Sequence, residues 1–108
     1  MNIINNSLII IYPETRLDIQ TSEEFEETVY KILQDYPNHN LLIDLTKVDL
    51  VSSTSIRTFI SIMRFLKTKN LNLKLVNANP LCKRVIDIVN LSKILEVYDT
   101  VEEAIESF

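Results

Sequence analysis

Four consecutive hydroxyl residues, Ser52-Ser53-Thr54-Ser55, stand where an apolar strand run gives way to an apolar helical pattern. A helix N-terminus leaves backbone N–H groups unpaired, and a hydroxyl there can cap them. The same place suits a phosphate, whose negative charge would meet the positive end of the helix dipole. Ser53 is the candidate for either role: a helix cap, as serines commonly are, or a site of phosphorylation.

Elsewhere the chain offers little for catalysis. His39 is the single histidine and lies in the polar turn Pro37-Asn38-His39-Asn40, where a solvated loop role accounts for it. Cys82, the single cysteine, falls in the first turn of a predicted helix. A helix N-terminus lowers a thiol pKa, but no second Cys or His neighbours it in sequence, so a buried or inert thiol is the simpler reading. No metal-ligand spacing occurs, and neither metal nor other cofactor is expected. A hydrolase built on Ser53 lacks a base, because His39 stands alone. Glu23, Glu24, Glu26 and Glu27 read as a solvated face in the first turns of a helix. Asp18 follows a strand at its C-terminal end, and Asp44 lies within an apolar strand. Each either closes a turn or lines the crevice where open α/β sheets bind ligands.

Composition narrows the class. The 108 residues suit a single domain spanning 1–108, and 46% hydrophobic content allows a core. A net charge of −4 with scattered cations argues against nucleic acid as partner. Arg64, Lys67 and Lys69 cluster near the end of a predicted helix, where the dipole favours cations. No apolar run reaches membrane-spanning length, so no direct membrane insertion is expected. The start, Met-Asn-Ile-Ile-Asn-Asn, has no signal-peptide pattern. With one cysteine and no possible internal disulfide, a cytoplasmic protein is expected. Glycine is absent, which excludes Gly-rich phosphate loops. Tight turns must then use Asn, as at Asn5-Asn6, Asn38, Asn40, Asn70 and Asn90.

The elements that position these residues follow from periodicity. Ile3-Ile4, Asn5-Asn6 and Leu8 to Tyr12 read as a hairpin. Pro13-Glu14-Thr15-Arg16 breaks the pattern. A first helix starts near Thr21, with Thr21 and Glu24 at capping-box spacing and Phe25, Val29, Ile32 and Leu33 on one face. Leu41 to Leu45 is a buried strand. A second helix runs from about Ser53 to Thr68, with Ile56, Phe59, Ile60, Met63 and Leu66 inward and Asn70 as its stop. On that helix Thr58, Ile62 and Phe65 point away from this face. They form a partner-binding strip or pack beneath the third or last helix.

Leu71 to Leu75 alternates as a strand with Asn72 and Lys74 on a wet face. Asn79-Pro80 opens a third helix carrying Leu81, Val85, Ile88 and Val89 inward and ending near Asn90. Leu95-Glu96-Val97 is a short strand. Thr100 and Glu103 open a last helix with Val101, Ala104 and Ile105. Strand–helix alternation predicts an α/β fold: a mixed, mostly parallel sheet with helices mainly on one face.

Order and spacing together resemble the STAS-domain family, specifically the bacterial anti-sigma factor antagonists. Arg16-Leu17-Asp18 is similar to that family's Gly-x-Leu-Asp turn. Leu42-Ile43-Asp44-Leu45-Thr46-Lys47-Val48 is similar to its strand ending in Asp-Leu and a Val. Val51-Ser52-Ser53-Thr54-Ser55-Ile56 falls on its Asp-Ser-Ser/Thr-Gly-Leu signature. Leu73 to Asn77, Val85 to Leu91 and Tyr98 to Ala104 resemble its later motifs. Two positions depart: Ser52 replaces the signature Asp, and Ser55 the signature Gly.

The resemblance implies a protein-interaction module with the STAS fold and no enzymatic activity, a monomer when free. It implies an anti-sigma factor that is also a serine kinase as partner, phosphorylation at Ser53 (Thr54 as second choice), and a PP2C-type phosphatase that resets the switch. The partner-binding residues implied are Asp18, Ser52, Ser53, Thr54 and Ser55, to which the strip of Thr58, Ile62 and Phe65 is added here. The alternative keeps the fold without the switch: a constitutive binding subunit of a signalling or lipid-transport assembly.

Overall fold

A computed structural model describes residues 2–14, 16–88 and 94–108. The elements run β1 (Asn2–Ile4), β2 (Leu8–Ile11), α1 (Ile19–Asp35), β3 (Asn40–Asp44), α2 (Ser53–Lys67), β4 (Leu73–Val76), α3 (Pro80–Ile88), β5 (Glu96–Tyr98) and α4 (Val101–Ser107). They form one sheet in the order β1-β2-β3-β4-β5. β1 is antiparallel to β2, with Ile3 opposite Ile10, and every later pairing is parallel. The expected hairpin and the mixed, mostly parallel sheet are therefore present.

Turn chemistry without glycine falls to Asn. Asn5 Oδ1 accepts the Ser7 and Leu8 N–H groups at 3.0 and 2.7 Å, closing the hairpin. Asn70 (φ 61°) ends α2, as expected, and Asn77 (φ 59°) takes the same left-handed conformation after β4. Asn90 and Val89 lie outside the described residues. His39 is not the freely solvated loop residue expected: it is half-buried, and its Nε2 donates to the Asn5 carbonyl at 2.7 Å, tying the turn before β3 to the hairpin.

Alternate strand residues feed two cores. Ile9, Ile11, Leu41, Ile43, Leu73 and Leu75 face α1, α2 and α3, which bring Val29, Leu33, Phe59, Ile62, Cys82 and Ile86. On the other face Leu8, Ile10, Leu42 and Val76 meet Ala104 of α4. Helices thus lie mainly on one face, but the second face is not wet.

Lys74 corrects the reading of an exposed face: it is 3% exposed. Its Nζ donates to the Ser107 carbonyl and hydroxyl at 2.6 and 2.7 Å and lies 3.5 Å from Glu96. The Tyr98 and Phe108 rings lie 5.5 and 4.6 Å from the ammonium. A cation whose donors are taken by the end of α4 and a carboxylate can be buried where a bare one could not.

Two helix registers also differ from expectation. α1 begins earlier, at Ile19, because Asp18 and not Thr21 is its N-cap. Its glutamates consequently lie beyond the first turn. In α3 Asn79 caps as expected, its Oδ1 accepting the Cys82 N–H at 2.8 Å. Cys82 and Ile86 then point inward, whereas Leu81 is half exposed. In α4 Thr100 Oγ1 caps the Glu103 N–H at 3.2 Å; Ala104 is buried and Ile105 is exposed.

Candidate functional site

Leu17 and Val51 form a parallel bridge outside the main strands. The Leu17 N–H donates to the Leu50 carbonyl at 3.1 Å, and the Ser52 N–H donates to the Leu17 carbonyl at 3.3 Å. Both apolar side chains are buried, so the bridge is clamped from within. The residues that follow them, Asp18 and Ser52, are the N-caps of α1 and α2. Two helix N-termini therefore emerge side by side on one rim of the molecule.

Asp18 Oδ1 accepts the Thr21 N–H at 3.0 Å, while Thr21 Oγ1 accepts the Asp18 N–H at 2.9 Å. The Thr21 N–H and the Thr21 hydroxyl, which donates to the same Oδ1 at 3.0 Å, hold the exposed Asp18 carboxyl below the usual carboxylate range. Of the two roles open to Asp18, the turn-closing one accounts for its oxygen. Its side chain remains solvent-exposed beside α2.

At α2 the cap is Ser52, not Ser53. Ser52 Oγ accepts the Ser55 N–H at 3.2 Å, and Ser55 Oγ accepts the Ser52 N–H at 2.8 Å. Ser52 Oγ also donates to the Leu17 carbonyl at 3.0 Å, and Ser55 Oγ to the Ser52 carbonyl at 2.8 Å. Ser53 occupies the first helical position, is exposed, and spends its hydroxyl on no other described residue. Thr54 is half-buried. Ser55 is 1% exposed, which removes it as a contact residue: its side chain is consumed inside the cap.

The loop before α2 is held from below. Asp44, buried at the end of β3, accepts the Thr46 N–H at 2.9 Å, the Thr46 hydroxyl, and Asn77 Nδ2 at 3.2 Å. These bonds assign it the turn-closing role and leave no ligand-lining one. Asn79 Nδ2 reaches the carbonyls of Val48 and Asp49 at 3.3 and 3.2 Å. Burial pushes the Cys82 thiol up, and its Sγ faces the Val48 carbonyl at 3.9 Å, as suits an inert core thiol. Arg16 reaches Asp49 at 3.5 Å across the rim. Sequence reading missed the tethers Asn77 and Asn79; an Asn where no glycine is available was the signal for the first.

The strip of Thr58, Ile62 and Phe65 is corrected. Ile62 is fully buried and Thr58 is 6% exposed. Phe65 is half-buried, edge-on to Tyr30 of α1 at 5.4 Å, and Phe59 meets Phe25 in the same way at 6.3 Å. Phe65 thus packs against α1, and Thr58 and Ile62 are buried rather than presented to a partner. α2 packs both on the sheet and against its neighbour α1, so its apolar arc is wider than one face.

A family model described as the STAS domain matches residues 2–104. The chain belongs to the STAS domain family. It is 27% identical over 103 residues to a candidate anti-sigma factor antagonist of Thermotoga neapolitana, covering 95% of this chain and 91% of that protein. The crystal structure of a candidate anti-sigma factor antagonist from Thermotoga maritima superposes with a TM-score of 0.92 at 24% identity, over 99% and 92% of the two chains. The anti-sigma factor antagonist SpoIIAA in its unphosphorylated form gives a TM-score of 0.79 at 17% identity, over 97% and 90%. These likenesses establish the STAS fold.

Within that STAS frame, the two residues that depart from the signature are the two halves of the α2 capping box. Among the described residues no cluster of His, Cys, Asp and Glu could hold a metal ion, and no helix is long and apolar enough to cross a membrane.

Proposed function

We propose that this STAS domain is an anti-sigma factor antagonist: a cytoplasmic binding module, monomeric when free, that captures an anti-sigma factor and is switched by phosphorylation of Ser53. The names of its relatives support the first part. One observation carries the second. Ser53 is exposed at the first position of α2 while its neighbours Ser52 and Ser55 do the capping.

A phosphate on Ser53 adds about −1.5 to −2 charges. At the helix N-terminus the dipole favours that charge, so the domain stays folded. The switch then acts on docking: the partner meets a bulky dianion where it met a hydroxyl. The anti-sigma factor serves as the serine kinase and a PP2C-type phosphatase restores the hydroxyl, with no reaction catalysed by this chain. Asp18, Ser52 and Thr54 share the rim and complete the docking surface around Ser53.

Incubation with candidate anti-sigma factor kinases and ATP, read by mass spectrometry, tests this. One added phosphate is expected on Ser53, and none in Ser53→Ala. No incorporation, together with partner binding unchanged in Ser53→Asp, contradicts the switch and leaves a constitutive binding subunit. Incorporation on Thr54 alone moves the site by one residue and contradicts the Ser53 assignment.

A further inference from the structure

α2 contains three cations, Arg57, Arg64 and Lys67, and no carboxylate, in a chain of net charge −4. All three are exposed. The ion pairs among the described residues use Arg16, Lys47, Lys74 and Lys83 instead. Arg64 and Lys67 lie in the last turn, where they complement the helix dipole. Arg57 lies one turn beyond Ser53, past the end turns in which the helix dipole acts, so the dipole does not account for it.

Arg57 and Arg64 are two turns apart on the same side, with Ile60 and Ser61 between them. Together these four line an open groove of about 350 Å³. Ile60 is half-buried and gives the groove an apolar floor, while Tyr30 Oη lies 3.2 Å from Ser61 Oγ at its edge. Seven residues of helix place the two guanidinium-bearing positions roughly 10 Å apart.

We propose that this groove docks an acidic segment of the partner protein, with two carboxylates about two helical turns apart and an apolar side chain between them. Charge complementarity selects that occupant. Guanidinium groups bind carboxylates in bidentate fashion, and a cationic patch on an otherwise anionic protein steers such a segment to α2. The inference rests on the partner capture at the Ser53 rim proposed above, which this groove extends along α2, and does not depend on phosphorylation.

The test is an NMR titration of the isotope-labelled protein with a synthetic amphipathic helical peptide bearing Glu residues two turns apart. Its Gln counterpart and a short DNA duplex serve as comparison probes. The Glu peptide is expected to shift the amides of Arg57, Ile60, Ser61 and Arg64, with affinity falling as salt rises. Arg57→Glu combined with Arg64→Glu should weaken binding at least roughly tenfold. If that double variant loses its dispersed spectrum, Arg57→Gln and Arg64→Gln carry the same comparison singly.

Equal binding of the Gln peptide, shifts confined to another surface, or no shifts would overturn the proposal. Stronger shifts of the same amides by DNA would overturn it in favour of a nucleic-acid site. Because the peptide titration involves no kinase, failure to phosphorylate Ser53 leaves its outcome unaffected.

Discussion

Ser52 and Ser55 hold each other across the first turn of α2, each hydroxyl accepting the other's backbone N–H, at 3.2 and 2.8 Å. These are the positions at which the STAS signature reads Asp and Gly. A glycine could not return the bond to Ser52. An ionised Asp could cap, but could not donate to the Leu17 carbonyl as Ser52 does at 3.0 Å. The two departures make one structural unit. It leaves Ser53, which lies between them, outside the cap.

That coupling is measurable. Ser52→Ala and Ser55→Ala are each expected to cost about 1 kcal/mol of unfolding free energy. The double variant should cost less than the sum, because either change breaks the reciprocal pair. Denaturant titration of the four proteins closes the cycle, and strict additivity would contradict the coupling.

Asp18 caps α1 as a carboxylate, and its pKa lies below the ordinary value. A depressed folded-state pKa means that the stabilisation is fully present above the ordinary Asp value of about 4 and is lost as pH falls through the folded value. Asp18→Asn keeps a capping oxygen and removes the titration. Its stability should therefore decline less steeply below about pH 4 than that of the unaltered protein. Identical acid limbs in thermal unfolding would contradict this.

Ile62 and Phe65 should behave as core residues. Ile62→Ala is expected to cost about 2–5 kcal/mol, as in other fully buried sites. Phe65→Asp should destabilise by separating α1 from α2, with hydrogen exchange accelerated in both helices. A Phe65→Asp protein of unaltered stability would return this side chain to the surface.

Lys74 anchors α4 to the sheet. Lys74→Ala is expected to cost about 1–3 kcal/mol and to speed amide exchange in α4. Burial pushes the Glu96 carboxyl up, but the Tyr98 hydroxyl and the Lys74 ammonium outweigh it and leave the group below the usual range. In Lys74→Met the Glu96 carboxyl should titrate higher. An unmoved titration by NMR would contradict the pairing.

Much of this architecture was legible because local chemistry left few alternatives. Without glycine, Asn5 and Asn70 had to make turns, and Asn79-Pro80 had to open a helix. The misreadings share a cause, namely neighbours that one element's own pattern does not reveal. Lys74 alternates like a wet-face residue until α4 covers it. Ile62 lies off the stripe read as inward-facing, yet it is fully buried in the main core. In α3 the Asn79 cap turns Cys82 and Ile86 fully inward, keeps Val85 packed against the core as expected, and leaves Leu81 half exposed. At α1 two overlapping capping patterns compete, and Asp18 wins because its backbone is pinned through the Leu17–Val51 bridge.

The most direct test of the central claim is calorimetric. The anti-sigma factor of the source organism is titrated with the unmodified protein and with protein phosphorylated on Ser53. The account expects saturable binding of the unmodified form, weakened at least roughly tenfold by the phosphate, a change of about 1.4 kcal/mol. Equal affinity of the two forms, or binding by neither, would contradict it.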